Sequence, residues 1–235
     1  ASPLGDRIAV LWLPPFVTTS NLSILDVASG QVRDVERSFD SLSALAWSPD
    51  GSRITATATT ELDGVKRTEV VEVDIVSMQA RPVAEFESAI EVVPVGYSFD
   101  SSRLFIVVVD ARGTNLLVER GGKTQPVAEL SPGRTRDWAL SPDGSRLAYV
   151  DVLSGGSRTY VGRSLMIATG AISTLPAGKN QLGASWMPGS PIPAFGGPGG
   201  EWQLTDTASA YLVPEDWSPD GQWLLDRIHP GLVHF

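Results

Sequence analysis

The feature that most constrains the fold of this chain is an internal repeat built on a Ser-Pro-Asp-Gly segment. WSPDGSRI (47–54), LSPDGSRL (140–147) and WSPDGQWL (217–224) are plain copies, YSFDSSRL (97–104) is a near copy, and degenerate copies occupy 1–8 and 186–190. The motif starts fall near 2, 48, 98, 141, 187 and 218. Four of the five steps are 43–50 residues and the last is 31. A period of about 40–50 residues matches a four-stranded propeller blade and exceeds that of the commonest helical solenoids.

Runs rich in β-branched and aliphatic residues follow each motif and predict strands. The first run after the motif comprises 53–59, 104–109 and 146–152. The second comprises 22–27, 69–75, 115–119 and 165–168, and a weaker third comprises 31–35, 80–85, 125–130 and 171–175. With the segment that enters each motif, these runs predict four strands per repeat. The 23 glycines and 17 prolines punctuate the chain too often for long helices.

The motif itself has the chemistry of a tight turn, so we expect its residues to be structural. Proline presets φ at the second turn position, aspartate can bond its own backbone, and glycine supplies a positive φ. The residues given this role are Ser48, Pro49, Asp50, Gly51, Ser141, Pro142, Asp143, Gly144, Ser218, Pro219, Asp220 and Gly221. The aromatic residue before the motif (Trp47, Tyr97, Trp186 or Trp217) is expected to end a strand and to pack between neighbouring blades.

The pattern W-S-P-D-G, followed by R-I/L and a β run, resembles the repeats of the TolB-like, or WD40-like PD40, β-propeller family. The resemblance covers nearly the whole chain. It implies an all-β fold, a β-propeller with four-stranded antiparallel blades forming a single domain over 1–235. It implies little about function, because one fold of this kind hosts many functions.

Strand counting predicts six blades with incomplete ends. Four full blades run from about 42 to 212, the blade at 4–36 lacks its innermost strand, and a sixth begins near 213. In the five-bladed alternative, 213–217 supplies the strand missing from the first blade. Residues 222–228 would then compete for the place of 6–13, so six blades are favoured. The Pro- and Gly-rich stretch within 187–212 suggests a trimmed blade, and an unclosed ring leaves strand edges exposed.

Composition excludes several functional classes. The absence of cysteine excludes disulfide scaffolds, cysteine-ligated zinc and thiol nucleophiles. The net charge of -9 argues against nucleic-acid and anionic-membrane binding. No apolar run reaches the roughly 18 residues of a membrane span. The chain begins at Ala1 with no signal-like segment, so we expect a processed protein or an excised domain.

Signatures of catalysis and metal binding are also missing from the sequence. The two histidines, His229 and His234, have a spacing that fits no zinc pattern. No G-x-S-x-G elbow and no phosphate loop with a Walker lysine occurs. Glu69, Glu72 and Asp74 are interpreted as a solvated strand edge rather than an acid/base pair. We therefore expect no enzyme activity, no cofactor and no metal.

Propeller geometry predicts where a partner binds. The loops between second and third strands and between blades share one face, and binding residues usually lie on loops held by a rigid scaffold. The longer loops of this face are expected at 14–20, 60–68, 111–114, 131–136 and 154–163. The candidate binding residues on it are Trp12, Phe16, Arg112, Arg134, Arg136, Arg158 and Arg163. The two aromatics belong to an apolar, proline-stiffened segment that is either an exposed anchor or a buried strand end.

The arginines place positive charge on one side of an acidic chain, where they could receive an acidic peptide or a carboxylate. The alternative is that they are scattered and solvated. The first functional hypothesis is a non-enzymatic interaction or sensor module, periplasmic or extracellular as the TolB-like resemblance implies, that binds a protein or peptide partner and neither nucleic acid nor membrane. Competing hypotheses are an accessory propeller of a prolyl-oligopeptidase-like peptidase, a propeller hydrolase with a central metal, and the outer domain of a membrane-anchored regulator.

Overall fold

The computed structural model describes residues 1–13, 19–62, 65–154, 159–175, 181–196, 210–217, 222 and 224–230. All regular structure in these residues is β. The strands are β1 Arg7–Trp12, β2 Asn21–Asp26, β3 Val32–Asp34, β4 Ser41–Trp47, β5 Arg53–Leu62, β6 Val65–Asp74, β7 Ala80–Phe86, β8 Glu91–Tyr97, β9 Leu104–Asp110, β10 Gly113–Arg120, β11 Lys123–Ser131, β12 Thr135–Leu140, β13 Arg146–Leu153, β14 Thr159–Met166, β15 Ala171–Thr174, β16 Leu182–Ser185, β17 Ala194–Gly196, β18 Ala210–Trp217 and β19 Leu224–Pro230. No helix that could span a membrane occurs in this part of the chain.

The strands associate with their neighbours in sequence. β4–β7, β8–β11 and β12–β15 each form a four-stranded sheet, with strands joined in chain order. β1–β3 form a three-stranded sheet, and β16–β17 and β18–β19 are pairs in the described residues. Four-stranded meanders of this kind are the blades of propellers. The predicted strand content of the repeat is therefore confirmed in three complete sheets.

The chain divides into two compact units, residues 1–111 with 116–126 and residues 112–115 with 127–235. In the first unit, one core cluster joins β2 to the β4–β7 sheet through Leu22, Ile54 and Val73. A second cluster, which includes Val70, joins the β4–β7 sheet to the β8–β11 sheet. In the second unit, the core lies between β13 and the β16–β17 pair and includes Trp186. Apolar side chains are thus buried between successive sheets, which is how a propeller covers the faces of its blades.

In each of the three four-stranded sheets, the repeated motif forms a closed turn just before the second strand. In the first plain copy, Gly51 N donates to Ser48 O at 2.9 Å, and Gly51 has a φ of +67°. Ser48 Oγ donates to Asp50 Oδ1 at 2.6 Å and accepts from Arg53 N at 2.9 Å. These bonds lower the pKa of Asp50, chiefly through the Ser48 hydroxyl. Residues 141–146 repeat the arrangement, with Gly144 at a φ of +68°. The turn at 218–221 lies outside the described residues.

The aromatic residue before the motif contacts the preceding sheet. Trp186 is buried and its Nε1 donates to Ala139 O of β12 at 2.9 Å. Tyr97 is buried and its Oη donates to Glu72 Oε2 of β6 at 3.1 Å. Trp47 packs on the core cluster that includes β2. Within each unit, these three side chains therefore join a sheet to the one before it.

Two predicted loops, 60–68 and 154–163, are wrong because strands extend into them. β5 runs to Leu62 and β6 begins at Val65, so 60–62 and 65–68 are paired strand rather than loop. β14 begins at Thr159, because it pairs with β13 along the whole length of that strand, and residues 167–170 form a turn. The predicted strand at 165–168 is therefore displaced. Short apolar runs mark where a strand is buried, whereas the length of its partner decides where it begins.

The interpretation of the acidic strand as a solvated edge is also wrong. Asp74 is exposed, but Glu69 and Glu72 are only 9% and 4% exposed. Glu69 pairs with Arg37, and Glu72 is contacted by two arginines. Buried carboxylates require such partners. All three arginines come from other strands or connections, so the sequence of β6 alone could not indicate them.

Candidate functional site

The apolar segment is only partly described. Trp12 ends β1 and is 41% exposed, so it is neither a free anchor nor a buried strand end. Its Nε1 donates to Ser23 Oγ at 2.7 Å, and Ser23 Oγ donates to Asp34 Oδ1 at 2.6 Å. This chain of bonds fixes the indole across β1, β2 and β3. Phe16 lies outside the described residues.

Two turns of the second unit are tied together by one buried threonine. Thr114 Oγ1 donates to Gly133 O at 2.9 Å and accepts from Thr135 N at 3.1 Å. Thr114 has no exposed surface. The turn that precedes β10 is thereby held against the turn between β11 and β12. Arg112 and Arg134 lie on these two turns, so the tie brings their backbones together.

A glycine allows the two turns to approach closely. Gly113 has a φ of +142°, and a Cβ at this position would lie 2.4 Å from Ser131 O. Any larger residue would push the turns apart. Arg134 is also held from the other side, because its carbonyl oxygen accepts from Val152 N at 3.1 Å. The backbones that carry the arginines are therefore fixed.

Three of the predicted arginines form one exposed group, the arginine edge, which we define as Arg112, Arg134 and Arg136. Arg136 Nε lies 2.9 Å from Asp137 Oδ2. The same carboxylate oxygen accepts from Gly183 N at 2.8 Å, so Asp137 is held in place while it partly neutralises Arg136. The arginine edge presents planar guanidinium groups, a chemistry that suits carboxylates.

The structure does not bring the other two predicted arginines into this group. Arg163 lies within β14, not in a loop, and its Nε donates to Asp151 Oδ2 at 2.7 Å. Its Nη1 also donates to Thr174 Oγ1 at 3.1 Å, so Arg163 serves the packing of its own sheet. Asp151 was missed from the sequence because its proximity to Arg163 depends on the register of β13 and β14. Arg158 lies outside the described residues.

The described residues hold no group of three or more potential metal-ligating side chains. Sequence reasoning also missed the burial of Glu72, for which the only available signal is a glutamate within a β-branched strand.

No family model matches the sequence, and no curated protein matches it either. Solved structures do match. TolB from Acinetobacter baumannii has a TM-score of 0.64 at 19% identity over 98% of this chain and 53% of that chain. A putative TolB from Agrobacterium tumefaciens has a TM-score of 0.58 at 19% identity, covering 97% of this chain and 73% of that chain. The β-propeller domain of the Trilobed protease from Pyrococcus furiosus has a TM-score of 0.58 at 13% identity, covering 95% of this chain and 68% of that chain.

These matches establish the fold. The chain is an all-β protein with the β-propeller fold, and its structural neighbours include TolB and other propeller proteins. It spans about half of the A. baumannii TolB chain. Because one fold hosts many functions, the fold does not assign a function to the arginine edge.

Proposed function

We propose that this chain is a non-catalytic interaction propeller that binds an acidic segment of a protein partner at the arginine edge. The observation that carries the proposal is the placement of three exposed arginines, with Arg112 and Arg134 on turns joined by Thr114 and Arg136 at the start of β12. Fixed side-chain attachment lowers the ordering cost of binding, and guanidinium groups pair with carboxylates in a fork geometry. The chain as a whole is acidic, with a net charge of -9, so a local positive surface favours a negative partner.

The proposal includes the expectations drawn from the TolB-like resemblance. We propose a single six-bladed propeller domain in an exported protein, periplasmic or extracellular. The structural likeness to two TolB proteins supports this assignment.

The test uses a peptide of alternating glutamate and aspartate, with its glutamine and asparagine counterpart as the neutral control. The variant Arg112→Ala/Arg134→Ala/Arg136→Ala should bind the acidic peptide about tenfold or more weakly, since each exposed ion pair contributes up to about 1 kcal/mol. The loss should shrink at high salt because these charges are screened. Calorimetry or fluorescence anisotropy measures both effects.

A matched control removes three exposed arginines elsewhere, at positions 33, 103 and 120. The triple variant Arg33→Ala/Arg103→Ala/Arg120→Ala changes the net charge equally. Equal loss of binding in the two triple variants would show that only net charge matters and would overturn the assignment of the arginine edge. Binding of the neutral peptide as tightly as the acidic one would do the same.

A second candidate function is the accessory propeller of a peptidase, which the structural match to the propeller domain of the Trilobed protease favours. The gene sequence that flanks the region encoding this chain tests the accessory role. An adjoining hydrolase domain would support the accessory role, and its absence would remove this candidate.

A further inference from the structure

The arginine that follows the motif reaches towards the next motif turn, and in the first unit it meets a buried carboxylate there. Arg53 donates to Ser101 O, and its guanidinium lies over the Tyr97 ring, 5.2 Å from the ring centre. Arg53 Nη1 lies 3.2 Å from Glu72 Oε2. Arg81 Nη2 lies 2.5 Å from the other carboxylate oxygen. An internal carboxylate therefore fills this junction between two sheets.

The equivalent junction in the second unit lacks that carboxylate. Arg146 occupies the position of Arg53 in its own copy of the motif. Glu72 is paired with Thr55, two residues after Arg53, and the corresponding pair in the second unit is Ala148 and Ser164. A serine thus replaces the buried acid of the first unit.

The second arginine is exchanged together with the acid. Arg81 is the β7 partner of Glu72, and Ser173 is the β15 partner of Ser164. Ser173 Oγ donates to the main-chain carbonyl oxygen of Ser164 at 3.3 Å, so this hydroxyl is bonded within its own sheet. An acid and its arginine have been replaced as a pair, while the arginine after the motif is retained.

Arg146 is consequently a cation without an ion pair among the described residues. Its one side-chain hydrogen bond there is a long one, from Nη1 to Pro191 O at 3.4 Å. Asp143 is nearby, but its carboxylate is taken up by its own turn, through Ser141 Oγ at 2.6 Å and Ser145 N at 3.0 Å. The guanidinium group of Arg146 therefore retains N–H donors that bond to no described residue.

A cavity of about 360 Å³ lies beside Arg146 and belongs wholly to the second unit. Trp186, Pro142 and Pro191 provide apolar walls, and Ser145 and Ser190 provide hydroxyl groups. Asp143 also lines the cavity, with its Oδ1 engaged by the donors of its own turn. The volume lies at the lower end of the range of about 300–1,000 Å³ found for small-molecule sites. It suits one side chain or one chain end rather than a large ligand.

We propose that this cavity binds the carboxylate of a polypeptide ligand, either an acidic side chain or a C-terminal carboxylate, which pairs with Arg146 as Glu72 pairs with Arg53 in the first unit. Arg146 is the binding residue, because its planar guanidinium matches a carboxylate with two parallel N–H donors. Trp186 and the two prolines contact the adjoining apolar atoms. The site lies at the motif turns, whereas the arginine edge lies at the other ends of the strands, so the proposal goes beyond the interaction proposed above.

The test is a nuclear magnetic resonance titration with three small probes. N-acetylglutamate α-methylamide carries a side-chain carboxylate, N-acetylleucine carries a terminal carboxylate, and N-acetylglutamine methylamide is neutral. We expect saturable shifts of the Ser145 and Arg146 amides and of the Trp186 indole with at least one carboxylate probe and not with the neutral one. The carboxylate probe that binds more tightly identifies the source of the carboxylate.

Two variants test the role of Arg146 directly. Arg146→Gln should weaken the binding of the carboxylate probe at least tenfold, whereas Arg103→Gln, which removes the same charge from another exposed position, should leave it unchanged. Ser164→Glu/Ser173→Arg rebuilds the pair found in the first unit and should abolish binding with the amide spectrum elsewhere preserved. If that double variant fails to fold, Arg146→Gln decides alone.

The proposal is overturned if neither carboxylate probe produces saturable shifts, if the neutral probe shifts the same signals equally, or if Arg146→Gln binds like the wild-type protein. The triple variant of the arginine edge should retain full binding of these probes. Failure at the arginine edge and failure at Arg146 are therefore distinguishable.

Discussion

Replacement of Glu72 by glutamine should destabilise the protein by about 2–3 kcal/mol. Glu72 is only 4% exposed and receives bonds from Arg53, Arg81 and Tyr97. Removing one member of a buried ion pair costs about 3–5 kcal/mol. That figure is reduced because the Arg81 side chain is 66% exposed, where an ion pair is worth about 1 kcal/mol or less. Arg53 also keeps its bond to the Ser101 carbonyl group.

The Tyr97 hydroxyl contributes to the same loss. Burial, and then the negative charge of Glu72, raise the pKa of Tyr97 above its ordinary value, so the hydroxyl stays protonated and donates to the carboxylate. Glutamine keeps the shape of the side chain and still offers one acceptor oxygen. Its amide nitrogen, however, points a donor at groups that are themselves donors. The variant therefore isolates charge and hydrogen bonding from packing.

Urea denaturation measures the effect, and Glu129→Gln serves as the control because Glu129 is an exposed glutamate. We expect the unfolding midpoint of Glu72→Gln to fall with little change in the slope, whereas the control should stay within about 0.5 kcal/mol of the wild type. In thermal unfolding the same loss lowers the Tm by about 5–10 °C. A loss below 0.5 kcal/mol for Glu72→Gln would refute the reasoning that this carboxylate holds the junction together.

Two further predictions concern turns. Hydrogen bonds from the Ser98 and Ser102 hydroxyls lower the pKa of Asp100 to about 2, so its stabilisation should be complete above about pH 4 and lost as the pH falls through about 2. Urea denaturation should accordingly show Asp100→Asn less stable than wild type at pH 6 and no different near pH 2; a constant difference would contradict this. Gly113→Ala should cost about 3 kcal/mol, because the new Cβ meets a backbone oxygen at 2.4 Å, whereas Gly121→Ala, at a φ of +63° in open space, should cost about 1 kcal/mol. Equal urea midpoints for these two variants would show that the close approach at Gly113 is relaxed at no cost.

The sequence predicted the repeat, its strands and its turns because each depends on local chemistry. Gly51 and Asp50 lie in a turn whose bonds close within six residues, so the motif alone specifies it. A continuous run of apolar, mostly β-branched residues likewise marks strands such as β9. Strand ends were less predictable, since β14 begins where its partner β13 requires it to begin.

The candidate site was only partly predictable for the same reason. Arg112 and Arg134 could be assigned to neighbouring loops by counting strands, whereas Arg136, which was predicted in the loop 131–136, lies in β12. Arg163 looked equivalent to them in the sequence, yet the register of β13 and β14 turns it towards Asp151. A one-residue shift in register reverses the face of every side chain in a strand, and no local pattern around Arg163 reports it.

The sequence by itself determined that the chain contains a β repeat of about 45 residues, that each repeat starts with a tight turn, and that the chain is acidic overall. These properties reside in residues close together along the chain. Only the tertiary structure decided which charges are satisfied. Arg53 and Arg146 occupy the same motif position, but the residues that differ around them, Glu72 and Ser164, lie on the next strand. Electrostatic partners depend on distance in space, so the arginine of the same SPDGSR segment has a carboxylate partner in the first unit and none among the described residues of the second.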